Sequence, residues 1–360
     1  MAKRINKIQE FLDEKDIDAL LIKSKTVKKW MNTMTGSGCQ VLITKEHGYL
    51  IVDGRYITEA KEKEHDLEII LHNPHLTGRN YLGTVEEILK KENCKTLGVE
   101  AYQVLVKEYQ EIEKLGIEVL LLDQEIAHLR IVKEDEEIEA MKKSIAITDE
   151  IYQKVIEHIH VGMSEYEISA LVQYYSIASG AQQMSFDTIV ATGERTALPH
   201  GRPTSRKVKA HEPIMIDFGI QYQNYQSDMT RMCFIGEPDP KIKEIYDVVL
   251  KAQLAGLSAI KAGAKGKDVD KAARDVIEAA GYGEYFNHGL GHGLGIGEDG
   301  EGPTLNSKSE TVLHMMMSCE PGVYVPGVGG VRIEDDVVII DGVGVPLNKT
   351  TKDYIILEDK

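Results

Sequence analysis

The sequence predicts an α+β protein of two domains, and three observations predict it. A chain of 360 residues exceeds the ~100 to 200 residues of one ordinary domain. Its helical and strand-like segments fall into blocks in the larger C-terminal part, which favours α+β over a doubly wound sheet. Between Leu129 and Glu139 the pattern turns polar and helical, which puts the boundary near residue 130 and divides the chain into 1–130 and 131–360.

Taken in order, the first part reads as a small α/β domain. An amphipathic helix covers Ile5 to Asp16, and the apolar run Asp18-Ala-Leu-Leu-Ile-Lys23 reads as a buried strand. Gln40-Val-Leu-Ile-Thr44 and Tyr49-Leu-Ile-Val52 are further strands, the second ending at Asp53-Gly54. A long helix then runs from the boundary until His160-Val161-Gly162 stops it. Ser164-Glu-Tyr-Glu167 has the form of a capping box and opens a helix through about Ser179. Pro213 to Gly219 and Tyr222 to Ile235 are strands, while Asp239-Pro240 to Lys261 and Asp268 to Ala280 are helices.

Composition excludes several functions. With 42 Lys and Arg against 58 Asp and Glu, the net charge of −16 disfavours the phosphate contacts on which nucleic-acid binding depends. No apolar run approaches the roughly 18 to 20 residues of a membrane span, and the basic N-terminus leads into charged helix instead of a secretory core. Cys39, Cys94, Cys233 and Cys319 are widely spaced and fit a reducing cytoplasm. The charge run Lys133 to Glu139 reads as a solvated helix face, and Met315 to Met317 as core filling. Gly295-x-Gly-x-x-Gly300 is no dinucleotide fingerprint, because Gly302-Pro303 follows where a helix should open. His75, His158 and His160 have no chemical partners in sequence and receive no role.

Chemistry concentrates in the second part. Pro213-Ile-Met-Ile-Asp217-Phe-Gly sets a carboxylate at the end of an apolar strand, and Ser227-Asp228-Met-Thr-Arg231 sets another beyond a turn-like segment, so a hairpin brings the two acids together. A lone buried anion is costly, and a metal ion meets that cost. Ser318-Cys-Glu320-Pro-Gly and Gly330-Val-Arg-Ile-Glu334-Asp-Asp repeat the device. Between the pairs, Asn287-His288-Gly-Leu-Gly-His292-Gly-Leu-Gly surrounds an imidazole with glycines that allow close backbone approach. Four carboxylates and one nitrogen suit a divalent pair, Mn²⁺ first and Co²⁺ or Zn²⁺ after it. Two such ions serve hydrolysis of a stable amide.

These segments, with Ser185-Phe-Asp-Thr-Ile-Val-Ala191 and Leu198-Pro-His200-Gly, resemble the pita-bread metallopeptidases: aminopeptidase P, prolidase and, more distantly, methionine aminopeptidase. Asp18-Ala-Leu-Leu-Ile and Asp53-Gly-Arg-Tyr56 resemble the smaller creatinase-type α/β domain that precedes the pseudo-twofold pita-bread domain. The resemblance implies cleavage of Xaa-Pro bonds in small peptides, by an aminopeptidase or a dipeptidase, and a homodimer. It implies that Asp217 binds one metal, that Asp228 and Glu334 bridge, and that His292 and Glu320 hold the other. Glu320 would handle a proton, His200 and His288 would line the pocket and orient substrate, and Arg332 would steady the carboxylates.

One departure stands out. Where the family continues into His-Glu-x-Pro, this chain reads Gly295-Ile-Gly-Glu-Asp-Gly300-Glu-Gly-Pro303, so the histidine position falls on Gly300 and Glu298 or Asp299 is left as a substitute proton carrier. Two other functions therefore compete: a hydrolytically weakened member that binds peptide or protein, and a creatinase-like, metal-independent C–N hydrolase. Retention of all five expected ligands disfavours both.

Overall fold

A computed structural model describes residues 2–63, 66–78, 80–297, 301–302, 304–306 and 314–358. The chain divides into two compact units, Met1–Arg130 and Ile131–Lys360. None of the described helices is long and apolar enough to cross a membrane.

The first unit is a six-stranded mixed sheet built from β1 (Ala19–Ile22), β2 (Cys39–Thr44), β3 (Gly48–Val52), β4 (Glu68–Leu71), β5 (Thr96–Val99) and β6 (Glu118–Leu121). Their spatial order is β4-β3-β2-β1-β5-β6. The central strand β1 is buried along its whole length, which is why its sequence is an unbroken apolar run and not an alternating one. The opening helix, Ala2–Lys15, buries Ile5, Ile8, Phe11 and Leu12, a helical spacing of one face.

The second unit has four long helices, Asp135–Ile156, Glu165–Ala178, Pro240–Ala259 and Gly266–Ala279. Its strands are β7 (Gln183–Met184), β8 (Ile189–Thr192), β9 (Pro213–Phe218), β10 (Ile220–Tyr222), β11 (Tyr225–Gln226), β12 (Met229–Ile235), β13 (Met316–Cys319), β14 (Gly322–Val325), β15 (Gly329–Arg332), β16 (Asp335–Ile340), β17 (Val343–Pro346) and β18 (Ile355–Leu357). One sheet runs β18-β12-β9-β8 and another β13-β16-β17, with two small sheets beside them. Each half of the unit thus contributes a helix pair and antiparallel strands, and β18 from the end of the chain joins β12 in parallel.

The β8-β9-β12 layer separates two cores. Ile214, Ile216 and Phe218 of β9 join Ile151, Tyr152, Ile168 and Val172 of the first helix pair. Met215 joins Met232, Ile245, Val249, Ala273 and Ile277 on the other side, where the buried Met315 and Met317 also lie. Strand period therefore assigns Asp217 to the Met215 face, opposite Thr230 in the antiparallel register.

Three sequence expectations need correction. The helix beginning at Asp135 ends at Ile156, short of His160. The expected strand Tyr222 to Ile235 is broken: Gln223 and Asn224 take left-handed φ values of 49° and 71° to make a tight hairpin turn. Among the described residues β11 then pairs only with β10, and β12 begins after Asp228. The run Lys133 to Glu139 is not a solvated face throughout. Lys133 is buried and pairs at 3.1 Å with the buried Glu301, and Glu137 accepts the Tyr225 hydroxyl at 2.7 Å.

Candidate metal centre

Strand ends and tight loops of the second unit bring the polar candidates to one cleft of about 940 Å³. Its walls include Asp217, Asp228, His292, Glu320 and Glu334, together with His200, His288 and Arg332. All eight residues singled out from sequence thus meet there.

Asp217 arrives on β9, and Asp228 immediately precedes β12. Glu320 follows β13, and Glu334 sits between β15 and β16. The His292 backbone lies against β13: Ser318 N donates to His292 O at 2.8 Å and Leu294 N to Met316 O at 2.8 Å. This approach needs the glycines on either side. A Cβ on Gly291 would stand 2.1 Å from Ser318 O, and one on Gly293 would stand 1.8 Å from Glu301 O.

Ligand atoms of Asp228, His292 and Glu334 all lie within 4.8 Å of one another. His292 Nε2 is 3.5 Å from both Asp228 Oδ2 and Glu320 Oε1. Asp217 Oδ2 is held by Arg332 Nη2, whereas Asp217 Oδ1 and Glu334 Oε1 are buried with no hydrogen-bond partner among the described residues.

Arg332 is the hub of the polar network. Besides Asp217, it donates to Thr230 Oγ1 at 2.9 Å, Tyr324 OH at 2.8 Å and Pro199 O at 3.1 Å. Thr230 in turn donates to Glu334 Oε2 at 2.6 Å. The guanidinium thus fixes Asp217 directly and Glu334 through one hydroxyl.

One arginine does not neutralise this many acids. Burial lifts the Asp217 carboxyl to about 7 against the pull of Arg332, with Asp228 and Glu320 adding to the rise. Glu320 is raised by burial and by Asp228, and Glu334 is raised well above the usual range by burial, Asp228 and Glu320. Burial pulls His292 down, but its hydrogen bond to Asp228 and the charge of Glu320 prevail and lift it to about 10. The protein alone therefore gathers protons to balance the acids. Orphaned carboxylate oxygens beside an imidazole, in a site short of positive charge, fit a divalent cation.

His288 behaves differently. Its Nδ1 faces Gly289 O at 2.8 Å and so carries the proton, while Nε2 lies 3.0 Å from Tyr324 OH. That hydroxyl accepts a hydrogen bond from Arg332 Nη1 and donates one to His288 Nε2. Burial lowers His288 to about 4, so the ring is neutral at pH 7. His200 lines the same cleft and is exposed.

Four contributors had no role in the sequence reading. Thr230 stands inside the Ser227 to Arg231 motif and Tyr324 two residues beyond Glu320-Pro-Gly, yet nothing in their spacing reveals the Arg332 network. Asp336 is buried, accepts the Asp228 backbone N–H at 2.9 Å, and was visible only as the third acid of Glu334-Asp-Asp. Arg231 is buried against Asp335 at 2.6 Å and donates to Glu334 O, which anchors that ligand candidate from behind. Glu298, Asp299 and Gly300, the positions of the missing histidine, lie outside the described residues.

Residues 139–341 match metallopeptidase family M24, and residues 4–132 match the creatinase/prolidase N-terminal domain. The sequence is 37% identical over 361 residues to the Xaa-Pro dipeptidase of Pyrococcus furiosus, covering 99% of this chain and 100% of that protein. In three dimensions it is similar to an Xaa-Pro dipeptidase from Bacillus anthracis, with a TM-score of 0.93, 35% identity and 99% of each chain covered. It is also similar to an X-Pro aminopeptidase from Thermotoga maritima MSB8, with a TM-score of 0.88, 34% identity, and 95% of this chain and 98% of that one covered.

Proposed function

The chain belongs to metallopeptidase family M24, and on that premise we propose that it is a metal-dependent hydrolase of Xaa-Pro bonds in small peptides. The observation that carries this reading is the meeting of Asp217, Asp228, His292, Glu320 and Glu334 in one cleft, two of them with orphaned buried oxygens. Two relatives that share the whole chain, from Pyrococcus furiosus and Bacillus anthracis, are named Xaa-Pro dipeptidases.

In this proposal Asp217, Asp228, His292, Glu320 and Glu334 would together hold two divalent ions. Mn²⁺ is the first candidate and Co²⁺ or Zn²⁺ the alternatives, because oxygen donors outnumber nitrogen four to one and no thiolate takes part. When bound, such ions supply Lewis acidity that polarises a peptide carbonyl and lowers the pKa of water. Glu320 would take and return a proton from its place in the cleft wall, 3.5 Å from His292 Nε2. Neutral His288 orients substrate through Nε2 when Tyr324 yields it, and His200 lines the approach. Arg332 keeps Asp217 and Glu334 in place. A homodimer in the cytoplasm completes the reading.

Metal-stripped protein should be assayed with matched Xaa-Pro dipeptides and Xaa-Pro tripeptides, before and after Mn²⁺, Co²⁺ or Zn²⁺. Cleavage restored by metal supports the proposal, and the preferred length separates dipeptidase from aminopeptidase. Absence of cleavage at two bound equivalents favours the peptide-binding alternative, which is motivated by the missing histidine.

A further inference from the structure

The capping box at Ser164 to Glu167 accounts for only one of its two glutamates. Glu167 closes the box, with Ser164 N donating to its Oε2 at 2.7 Å. Glu165, the first residue of the same helix, is 0% exposed and turns the other way. An acid in the first turn ordinarily serves the helix dipole from water. Burying it requires partners, and Glu165 has them on both oxygens.

Oε1 accepts from Thr192 N at 2.9 Å and from Thr192 Oγ1 at 2.9 Å. Oε2 accepts from Thr204 N at 2.9 Å, from Thr204 Oγ1 at 2.7 Å and from Arg195 Nη1. Arg195 also donates through Nη2 to Arg202 O at 2.9 Å. One carboxylate therefore grips both ends of the segment 192–204, and its arginine partner braces the middle.

That segment is a wall of the cleft. It carries Pro199, His200 and Arg202 to the lining. Its Pro199 O accepts from Arg332, and Thr196 Oγ1 accepts from Gly330 N at 2.7 Å. The five candidate ligands lie elsewhere, on or beside β9, β12, β13 and β15. Loss of the grip should thus loosen the substrate side and spare the metal side.

We propose that Glu165 is a positioning residue that fastens segment 192–204 and so holds His200 and Arg202 in register with the cleft. The fastening stands on its own geometry, while its kinetic consequence rests on the peptidase reading above.

The test uses full-length, metal-loaded protein and the variants Glu165→Gln and Arg195→Gln. Glutamine keeps the size of Glu165 but turns an N–H₂ donor toward backbone and hydroxyl donors at one end of the grip. Limited trypsin digestion reads the segment independently of activity, because Arg195, Arg206 and Lys207 lie in or beside it. For Glu165→Gln, cleavage there should accelerate roughly tenfold or more, the change expected for losing a hydrogen bond to a charged group, with the melting transition otherwise retained. KM for an Xaa-Pro peptide should rise by about the same factor while kcat stays within about threefold and metal content is unchanged. Arg195→Gln removes one of these trypsin sites, so it is read at Arg206 and Lys207 and in KM, and should move both in the same direction, by less.

Unchanged tryptic cleavage of the segment in a folded Glu165→Gln protein overturns the proposal, as does faster cleavage with unchanged KM. If Glu165→Gln does not fold, Arg195→Gln decides by the same criteria. If the wild-type protein cleaves no peptide, the peptidase reading fails separately and trypsin alone decides whether Glu165 fastens the wall.

Discussion

Without metal, the second unit should lose stability as pH rises above about 6.5, and His292 is the main cause. Its imidazole is raised from 6.5 to about 10 in the folded state, so folding holds a proton that the unfolded chain releases. That contribution is complete below pH 6.5 and is lost as pH rises through 10. The gap, at about 1.4 kcal/mol per pH unit, is worth roughly 5 kcal/mol at full strength. The side chain is 37% exposed to the cleft, and screening by water reduces this to about half. The remaining slope, about 0.7 kcal/mol per pH unit, lowers the melting temperature by roughly 1.5 to 3 °C per unit for a domain of this size. Asp217, raised to about 7, acts in the same direction up to that pH. His288, lowered to about 4, acts oppositely between 4 and 6.5, while the raised carboxyls of Glu320 and Glu334 add to the fall. Calorimetry of metal-stripped protein between pH 7 and 9 measures the slope. The His292→Asn variant should flatten it, and bound metal, which requires the deprotonated ring, should abolish it. A melting temperature that is level or rising over this interval, or an equal slope in His292→Asn, would refute the reasoning.

Other perturbations have equally definite outcomes. Asp228→Ala and Glu334→Ala should each remove bound metal and peptide hydrolysis together; retention of both in either variant, by elemental analysis and assay, contradicts the ligand assignment. Lys133→Met removes the cation paired with the buried Glu301 carboxylate and should cost about 3 to 5 kcal/mol in urea denaturation, whereas a loss under about 1 kcal/mol would mean the ion pair is dispensable. Tyr324→Phe removes the hydroxyl shared by His288 and Arg332 and should lower kcat/KM about tenfold with metal content intact; no kinetic change would dissociate that network from substrate handling.

Sequence pattern revealed the parts of this molecule that depend on local period. Helix and strand positions around Asp217, Glu320 and the capping box followed from apolar spacing and end signals, and β9 and β12 pair as the hairpin argument required. The metal-centre candidates were readable because acids inside apolar strands violate the ordinary burial rule. Lys133 shows the limit: its partner Glu301 lies 168 positions away, and period alone read the charge as solvated. Glu165 was hidden for a related reason, since a first-turn acid looks the same whether it faces water or grips a distant loop. Tyr324 and Thr230 act through hydroxyl hydrogen bonds that leave no spacing signature.

The most direct test titrates Mn²⁺ into metal-stripped protein while following Xaa-Pro hydrolysis and bound metal in the same samples. Activity that is absent at zero metal and reaches its plateau at two bound equivalents is the predicted result. Full activity in the presence of excess chelator, or no cleavage at two bound equivalents, would contradict a metal-dependent Xaa-Pro peptidase.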